Sequence, residues 1–374
     1  MRISVMTIIT INLSLSIFLI FLLPLLNLES LLKNLSGRLL AICCIAVMIR
    51  ALIPVEFPFS ITILVTEVLP SIRDVMKYPV TIGGFSVKIS ALLLFLWMAT
   101  AFILIAKKFF IYSRLTKTIR RLPECQDSAV LEVLHSLYEK YPSARNIKVV
   151  KTNLEISPLA TGFKNPVILL PEYRFGKAEY RMILEHELLH CIRHDTLIKF
   201  AADILCSIYW WNPLFYLLRG KIFELIELGN DRQMTESFSA DEKSTYMQCL
   251  ADTAKKIHND SFPFALSFNT GGESNLLRRL RLITEFKAAG RGKGILALSA
   301  TLLLLWCLTC FTMEPYEMPE SGDYIRFDKH NSYFVQDGDL YEVYYQGQFL
   351  HTVDSLEYYD PHIPIYQKGE TKDD

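Results

Sequence analysis

The sequence lacks a net charge, because 39 Lys and Arg residues balance 39 Asp and Glu residues. A strongly basic or acidic chain would suggest a partner of opposite charge. Bulk charge suggests none here, and we expect no direct binding of nucleic acid.

Cysteine is missing from two long stretches, residues 54–88 and 313–374, although the chain has eight cysteines. A domain held together by disulfides is therefore excluded in both stretches. Cys307 and Cys310 have the spacing of a zinc knuckle, but they lie at the end of an apolar run, where such a site is not expected.

Long apolar runs are abundant instead: 51% of the residues are hydrophobic and the mean hydropathy is +0.25. A helix needs about 20 apolar residues to cross a bilayer. Four runs approach or reach that length, at residues 4–26, 39–53, 87–106 and 294–312, and the second is the shortest. The sequence therefore predicts a multi-pass α-helical membrane protein.

Basic residues at the ends of these runs predict the orientation, since loops rich in Lys and Arg stay in the cytoplasm. They follow the third run from Lys107, precede the fourth at Lys293, and occur at Lys33 and Arg38 after the first. The predicted domains are three membrane helices in residues 1–106, a cytoplasmic domain at 107–293, a fourth membrane helix at 294–312 and an outer tail at 313–374. The amino terminus and a loop at about 54–88 are also expected outside the cell membrane.

A metal-binding motif lies in the cytoplasmic section, where His186, Glu187 and His190 form the pattern His-Glu-x-x-His. On a helix, residues four apart share a face, so both imidazoles can reach one metal ion. Glu187, beside them, points at the water that zinc would acidify, and can act as a general base.

A catalytic zinc site usually has a third protein ligand. Glu227 and Asp231 are four residues apart, which suits a carboxylate ligand and an acceptor for an imidazole N–H, although a solvated acidic face is an equally good explanation of this spacing. Glu224 is the competing ligand. His194 lies about 12 Å along a continuous helix from His186 and is expected at the surface, and Cys191 is expected to be a packing residue.

Residues between the third run and the motif predict a small α+β unit, with a helix capped by Ser128 and short strands at 146–152 and 166–171. Prolines flank the second strand, which indicates that it is an edge strand or ends sharply. An edge strand could pair with an extended substrate, whereas an inner strand would only complete the core.

The segment 197–218 is almost continuously apolar and could be counted as a fifth span. Lys199, Asp203 and Asn212, together with the need to keep Glu227 on the side of His186, favour a helix buried in the domain or lying at the membrane interface.

Five motifs together resemble the BlaR/MecR-type antirepressor peptidases, a family of membrane-embedded zinc metallopeptidases of the gluzincin type. They are SPLATGF at 157–163, PVILLP at 166–171, HELLH at 186–190, WNPL at 211–214 and ELGNDR at 227–232. The resemblance covers the four apolar runs and nearly all of residues 107–312. It implies a cytoplasmic α+β gluzincin-like zinc metalloprotease domain.

By this resemblance His186, His190 and Glu227 are the ligands of one Zn²⁺ per chain, Glu187 is the general base, and Asp231 is the acidic residue that follows the ligand glutamate. The family often has cysteine where this chain has Asn230, a departure that leaves the ligand set intact. The implied partners are the lipid bilayer and a protein substrate, a small winged-helix repressor. Homodimer formation is left open.

The tail departs further from the family, because penicillin-sensing members carry a large outer domain with a Ser-x-x-Lys motif. Residues 313–374 contain no such motif and predict a short acidic β-meander, either a sensing or docking module or a small cap without a ligand.

Three functions remain open from the sequence. The first is a signalling endopeptidase that cleaves a cytoplasmic repressor, itself, or both; the second is a membrane quality-control peptidase; the third is a receptor or scaffold without catalysis. A neighbouring gene for a small winged-helix repressor would separate the first two, and an intact Glu187 argues against the third. For self-cleavage, we predict a cut within Ala265, Leu266, Ser267 and Phe268, because Pro263 and the glycines at 271 and 272 disfavour a helix there. An uncut surface loop is the alternative that the sequence leaves open.

Overall fold

A computed structural model describes residues 5–53, 60–66, 68–82, 85–153, 156–172, 175–257, 273–286, 296, 299–306, 310–315, 327, 329–356, 359 and 361–368. The chain divides into two compact units, Met1–Pro315 and Tyr316–Asp374. The first unit is mostly helical and the second consists mainly of β-strands.

Long apolar helices form the first part of the chain. These are α1 (Val5–Leu25), α3 (Gly37–Leu52) and α5 (Ile89–Ile119), with the short helix α2 (Glu29–Asn34) between α1 and α3. The segments Thr7–Leu25 and Ile89–Ile119 are long and apolar enough to cross a membrane. Helix α3 has 16 residues, fewer than the about 20 that a straight span needs.

The fourth predicted span is only partly helical. Residues 299–306 are helical, but strand β7 (Phe311–Pro315) begins before the predicted end of the span at residue 312. The prediction was wrong at that end, because β7 pairs in parallel with strand β1 (Ile61–Val65) and its backbone bonds are made in this ladder.

Strands β1 and β7 lie at the end of the first unit where α1 begins, since Thr10 Oγ1 is 3.3 Å from both the carbonyl oxygen and the backbone nitrogen of Met313. Helix α4 (Val68–Lys77) and the hairpin of β2 (Pro79–Ile82) and β3 (Phe85–Lys88) follow β1 and lead into α5. The first turns of α1, strands β1 and β7, and helix α4 therefore lie at one end of the first unit.

A three-stranded sheet precedes the metal-binding motif. Its strands are β4 (Lys148–Thr152), β5 (Leu159–Thr161) and β6 (Val167–Pro171), and helix α6 (Ser128–Lys140) packs beside them. Helix α6 is capped by Asp127, whose Oδ1 accepts from Ala129 N at 3.0 Å, and not by Ser128, which is already its first residue.

The suggestion that the proline-flanked strand is an edge was wrong. The strand order is β4-β6-β5, so β6 lies in the middle and all five of its residues are buried. Its prolines are compatible with this position because Pro166 precedes the strand and Pro171 ends it. The edge next to the motif helix is β5 instead.

Five helices complete the first unit: α7 (Lys177–Ile192), α8 (Asp195–Ile208), α9 (Pro213–Thr235), α10 (Ala240–Ile257) and α11 (Glu273–Glu285). Helix α7 stops because His194 adopts a left-handed conformation, with φ 56°, and turns the chain back. Within the apolar segment 197–218, α8 ends at Ile208 and α9 begins at Pro213. The segment is therefore not one helix but a hairpin of two helices, with a break at Asn212.

Helices α3 and α9 cross at two glycines, Gly37 and Gly229. A Cβ atom on Gly37 would lie 2.7 Å from the carbonyl oxygen of Leu225 and 3.0 Å from the nitrogen of Gly229. No side chain fits at that distance, so both residues allow the backbones to approach closely.

The second unit contains a four-stranded sheet in the order β10-β9-β8-β11. Its strands are β8 (Ser332–Asp337), β9 (Leu340–Tyr345), β10 (Gln348–Val353) and β11 (Ile365–Gln367). Phe334, Val343 and Ile363 form its core. The predicted β-meander is therefore present as β8 to β10, with a parallel fourth strand added.

Candidate metal centre

Potential metal-ligand atoms of three residues, His186, His190 and Glu227, meet between α7 and α9. The Nε2 atoms of His186 and His190 are 3.2 Å apart, Glu227 Oε2 is 3.2 Å from His186 Nε2, and Glu227 Oε1 is 3.5 Å from His190 Nε2. The three residues form a group that could hold a metal ion. Both histidines are buried, and Glu227 is partly buried.

These distances fit a tetrahedral zinc site. Ligand atoms about 2.0–2.2 Å from one zinc ion, at tetrahedral angles, lie roughly 3.3 Å from each other. Two imidazoles and a carboxylate are also a donor set found in catalytic zinc sites. The residues therefore fit zinc both in their chemistry and in their spacing.

Glu187 lies next to this group on α7 and is 8% exposed. Burial raises the pKa of its carboxyl above the ordinary value, and the neighbouring imidazoles of His190 and His186 partly oppose that shift. A carboxylate whose proton affinity is raised is better suited to accept and return a proton near neutral pH.

Asp195, the first residue of α8, holds the imidazole of His190. His190 Nδ1 lies 2.7 Å from Asp195 Oδ2, and Asn230 Nδ2 donates to the same carboxylate oxygen at 3.0 Å. Arg193 in turn donates to Asn230 Oδ1. A donor N–H at Nδ1 leaves Nε2 free to bind a metal, which is how ligand histidines are usually oriented.

A chain of polar groups holds His186. Its Nδ1 lies 3.0 Å from the hydroxyl of Tyr246, which donates to Asp231 Oδ1 at 2.7 Å. Burial and the Asp231 carboxylate raise the pKa of the Tyr246 hydroxyl, so it keeps its proton. Arg279 then donates to both oxygens of Asp231, at 2.7 and 2.8 Å.

Two cations flank Glu227. Lys199 Nζ donates to Oε1 at 2.9 Å, and a terminal nitrogen of Arg279 is 3.4 Å from Oε2. Burial opposes ionisation of Glu227, but Lys199 and the two imidazoles outweigh it and hold its pKa well below the ordinary value. The carboxylates of Glu227 and Asp195 act in the other direction on His190: although burial lowers its pKa, they raise it to about 9.

The other residues considered from the sequence lie elsewhere or support the centre indirectly. Glu224 faces away from the histidines, toward Lys221 at 2.5 Å and Arg278 at 2.8 Å. His194 is exposed, and Cys191 is buried in the core beside α6. Asp231 reaches His186 through Tyr246, since its own oxygen is 3.6 Å from Nδ1. The predicted cleavage segment, residues 265–268, lies outside the described residues.

Sequence reasoning missed the roles of four residues: Asp195, Lys199, Tyr246 and Arg279. Asp195 could have been found, because it is an acidic residue just after the motif helix. Tyr246 and Arg279 come from α10 and α11, and nothing in their local sequence distinguishes them from other tyrosines and arginines.

Comparison with protein families gives an independent result. A family model described as BlaR1 peptidase M56 matches residues 11–283, which include most of α1, all of α3 and α5, and every residue of the metal centre named above. The predicted family resemblance is confirmed over these residues, whereas the fourth apolar run lies outside the match.

Curated relatives are similar at modest identity. Regulatory protein BlaR1 of Bacillus licheniformis is 22% identical over 195 residues, which cover 52% of this chain and 32% of that protein. Regulatory protein BlaR1 of Staphylococcus aureus is 27% identical over 212 residues, covering 52% and 35%. Methicillin resistance mecR1 protein of Staphylococcus aureus is 24% identical over 151 residues, covering 38% and 25%. Each aligned part spans about a third or less of the relative.

Proposed function

This chain belongs to the BlaR1 peptidase M56 family, and we propose that it is a multi-pass membrane zinc endopeptidase that acts in signal transduction. In this proposal His186, His190 and Glu227 hold one zinc ion per chain and Glu187 is the general base. The observation that carries it is the group of His186, His190 and Glu227, whose nearest nitrogen and oxygen atoms lie 3.2–3.5 Å apart, with the buried Glu187 beside them.

The mechanism assigns a task to each group. A zinc ion held by His186, His190 and Glu227 would supply a Lewis acid that polarises the scissile carbonyl and lowers the pKa of a water to about 7. Glu187 takes a proton from the attacking water and returns it to the leaving amine. Asp195 fixes the tautomer of His190, and Tyr246 does the same for His186.

The edge strand β5 gives the substrate a place to bind. It packs against α7 and β6 and has a free side in the strand order. An extended peptide can add to such an edge by main-chain hydrogen bonds, which brings its backbone close to the metal centre. A peptide must be extended to be cleaved, so this edge favours a disordered or loop segment as substrate.

The names of the relatives support a regulatory role, since two are regulatory proteins and one is a resistance protein. We therefore propose that the substrate is a cytoplasmic repressor of the small winged-helix type, this chain itself within residues 265–268, or both. The end of the first unit where α1 begins is assigned to the outside, together with the tail, and the metal centre to the cytoplasm.

The role of each ligand can be tested by variants of the full-length chain in membranes. Glu187→Gln should abolish cleavage and keep one zinc per chain, because Glu187 is not a ligand. His190→Ala and Glu227→Gln should lose both. Glu224→Gln is the matched control, an acidic residue one turn away on α9, and should keep both.

Zinc content is measured by mass spectrometry of the metal, and cleavage by comparing membrane and cytoplasmic peptides from cells with wild-type and Glu187→Gln protein. Equal zinc loss in Glu187→Gln and His190→Ala would show that the roles are misassigned. New termini within residues 265–268 that are absent in Glu187→Gln would support self-cleavage, whereas an intact chain under every inducing condition would exclude it.

A further inference from the structure

The turn between α8 and α9, with the first residues of α9, exposes several large apolar side chains. Residues 204–218 contain no charged side chain. Trp210, Trp211, Tyr216 and Leu217 in this turn are 36%, 50%, 46% and 60% exposed. A patch of this kind on a protein usually marks a contact with another protein or with a membrane.

Two hydrogen bonds fix the depth of this turn against the helices that are apolar enough to cross a membrane. Trp97 Nε1 in α5 donates to the carbonyl oxygen of Ile208 at 2.7 Å, and Asn212 Nδ2 donates to Ser16 Oγ in α1 at 3.0 Å. Trp97 lies ten residues before Lys107, and Ser16 lies eleven residues before Asn27. At 1.5 Å per residue, both helices place the turn about 15 Å from their basic or polar ends.

A third contact lies deeper, since Ala51 is 14 residues, or about 21 Å, along α3 from Gly37. Tyr209 donates its hydroxyl to the carbonyl oxygen of Ala51, near the far end of α3, at 2.5 Å. The hydrocarbon core of a bilayer is about 30 Å thick, so a depth of about 15 Å is close to its middle.

Several polar groups of the turn are hydrogen-bonded within the protein. Leu214 N donates to Asn212 Oδ1 at 3.0 Å, and Asn212 N donates to the carbonyl oxygen of Tyr209 at 2.9 Å. Non-helical backbone is tolerated at membrane depth only where protein groups satisfy it in this way. The charged residues that border residues 204–218 are also paired, since Asp203 lies 3.1 Å from Lys108 and 2.5 Å from Arg219.

We propose that the α8–α9 turn is a re-entrant hairpin that enters the bilayer from the side of the metal centre and contacts lipid acyl chains through Trp210, Trp211, Tyr216 and Leu217. The proposal rests on the membrane location proposed above. Helix α8 begins at Asp195, which holds His190, and α9 carries Glu227, so the same two helices join the bilayer interior to the metal centre.

The first experiment labels the unmodified protein in phosphatidylcholine vesicles with a lipid that carries a photoreactive diazirine at the end of one acyl chain. Labelled peptides are identified by mass spectrometry. The proposal expects label within residues 210–217 as well as within α5. Label in α5 but none in 210–217, or cross-links from 210–217 to a second copy of the chain without lipid label, would overturn it.

The second experiment measures depth by fluorescence quenching, since the chain has four tryptophans, at 97, 210, 211 and 306. A Trp97→Phe/Trp306→Phe variant reports the turn, and a Trp210→Phe/Trp211→Phe/Trp306→Phe variant reports α5. Bromine atoms on the acyl chains should quench the tryptophan fluorescence of both variants, to extents that agree within about twofold. Aqueous iodide should quench the fluorescence of neither variant.

If iodide quenched the fluorescence of the turn while bromine quenched that of Trp97, the re-entrant hairpin would be wrong but the membrane location would stand. Quenching of both variants by iodide alone would contradict the membrane location itself. The two failures are therefore distinguishable.

Discussion

The two imidazoles of the metal centre are supported in different ways. His190 is held by Asp195, five residues along the chain, whereas His186 is held by Tyr246, sixty residues along, and through it by Asp231 and Arg279. One side of the centre is thus completed by the turn after the motif helix, and the other by α10 and α11. The orientation of His186 therefore depends on how α10 and α11 pack against α9.

Arg279 should have the largest effect on stability. Arg279→Met leaves the carboxylate of Asp231, which is fully buried, with the Tyr246 hydroxyl but no cation. Removing one partner of a buried ion pair costs about 3–5 kcal/mol. We expect a loss of that size in the free energy of unfolding, measured by denaturant titration of the protein in detergent micelles.

Arg281→Met on the same helix is the control, because Arg281 pairs with the exposed Glu29. Its stability should stay close to that of the wild type. If both arginine variants lost equal stability, α11 would act only as a packing element and the ion pair with Asp231 would have no special weight.

Disrupting the crossing of α3 and α9 should cause the next largest loss in the free energy of unfolding. Gly37→Ala places a Cβ atom 2.7 Å from the carbonyl oxygen of Leu225, two residues before Glu227, so the two helices must separate. Overpacking of this kind costs about 1–3 kcal/mol. We expect that loss in unfolding experiments, together with weaker zinc binding.

Gly220→Ala, also in α9, is the matched control, since no atom lies within 4 Å of its added Cβ. It should be neutral or raise stability by up to about 1 kcal/mol through helix propensity. If the two substitutions had equal effects on stability, the close approach of α3 and α9 at Gly37 would not matter for the fold.

The supports of the two imidazoles can be compared directly through zinc affinity. Loss of a group that orients a ligand histidine weakens metal binding about 10–100-fold. We expect Asp195→Ala, which removes a charged acceptor, near the upper end and Tyr246→Phe near the lower end. Affinity is measured by competition with a chelator.

The double variant sharpens this comparison. Because Asp195 and Tyr246 contact different imidazoles, their effects on the binding free energy should add to within about 0.5 kcal/mol. A Tyr246→Phe protein with wild-type affinity would show that the His186 side needs no support from α10.

The parts of the centre that could be predicted from the sequence are those set by helical periodicity. His186, Glu187 and His190 share one helix, so spacing alone relates them. Spacing left Glu227 open against Glu224, and the family resemblance was needed to choose between them. Tyr246 and Arg279 could not be predicted, because their positions depend on the packing of α10 and α11 against α9, which no local pattern encodes.

The fold shows the same limit. The prolines around β6 indicated where that strand ends but not which neighbours it has, because pairing order depends on the rest of the sheet. Likewise, the polar residues of segment 197–218 argued correctly against a simple fifth span. They did not reveal the break at Asn212, where an Asn that caps a helix before Pro213 allows the chain to reverse.

The central claim is that His186, His190 and Glu227 together hold one zinc ion. X-ray absorption spectroscopy of the purified protein at the zinc edge tests it most directly. We expect a four-coordinate shell of nitrogen and oxygen at about 2.0–2.1 Å that includes two imidazoles, and no zinc in purified His190→Ala. A sulfur shell at about 2.3 Å, fewer than two imidazoles, or full zinc content in His190→Ala would contradict the claim.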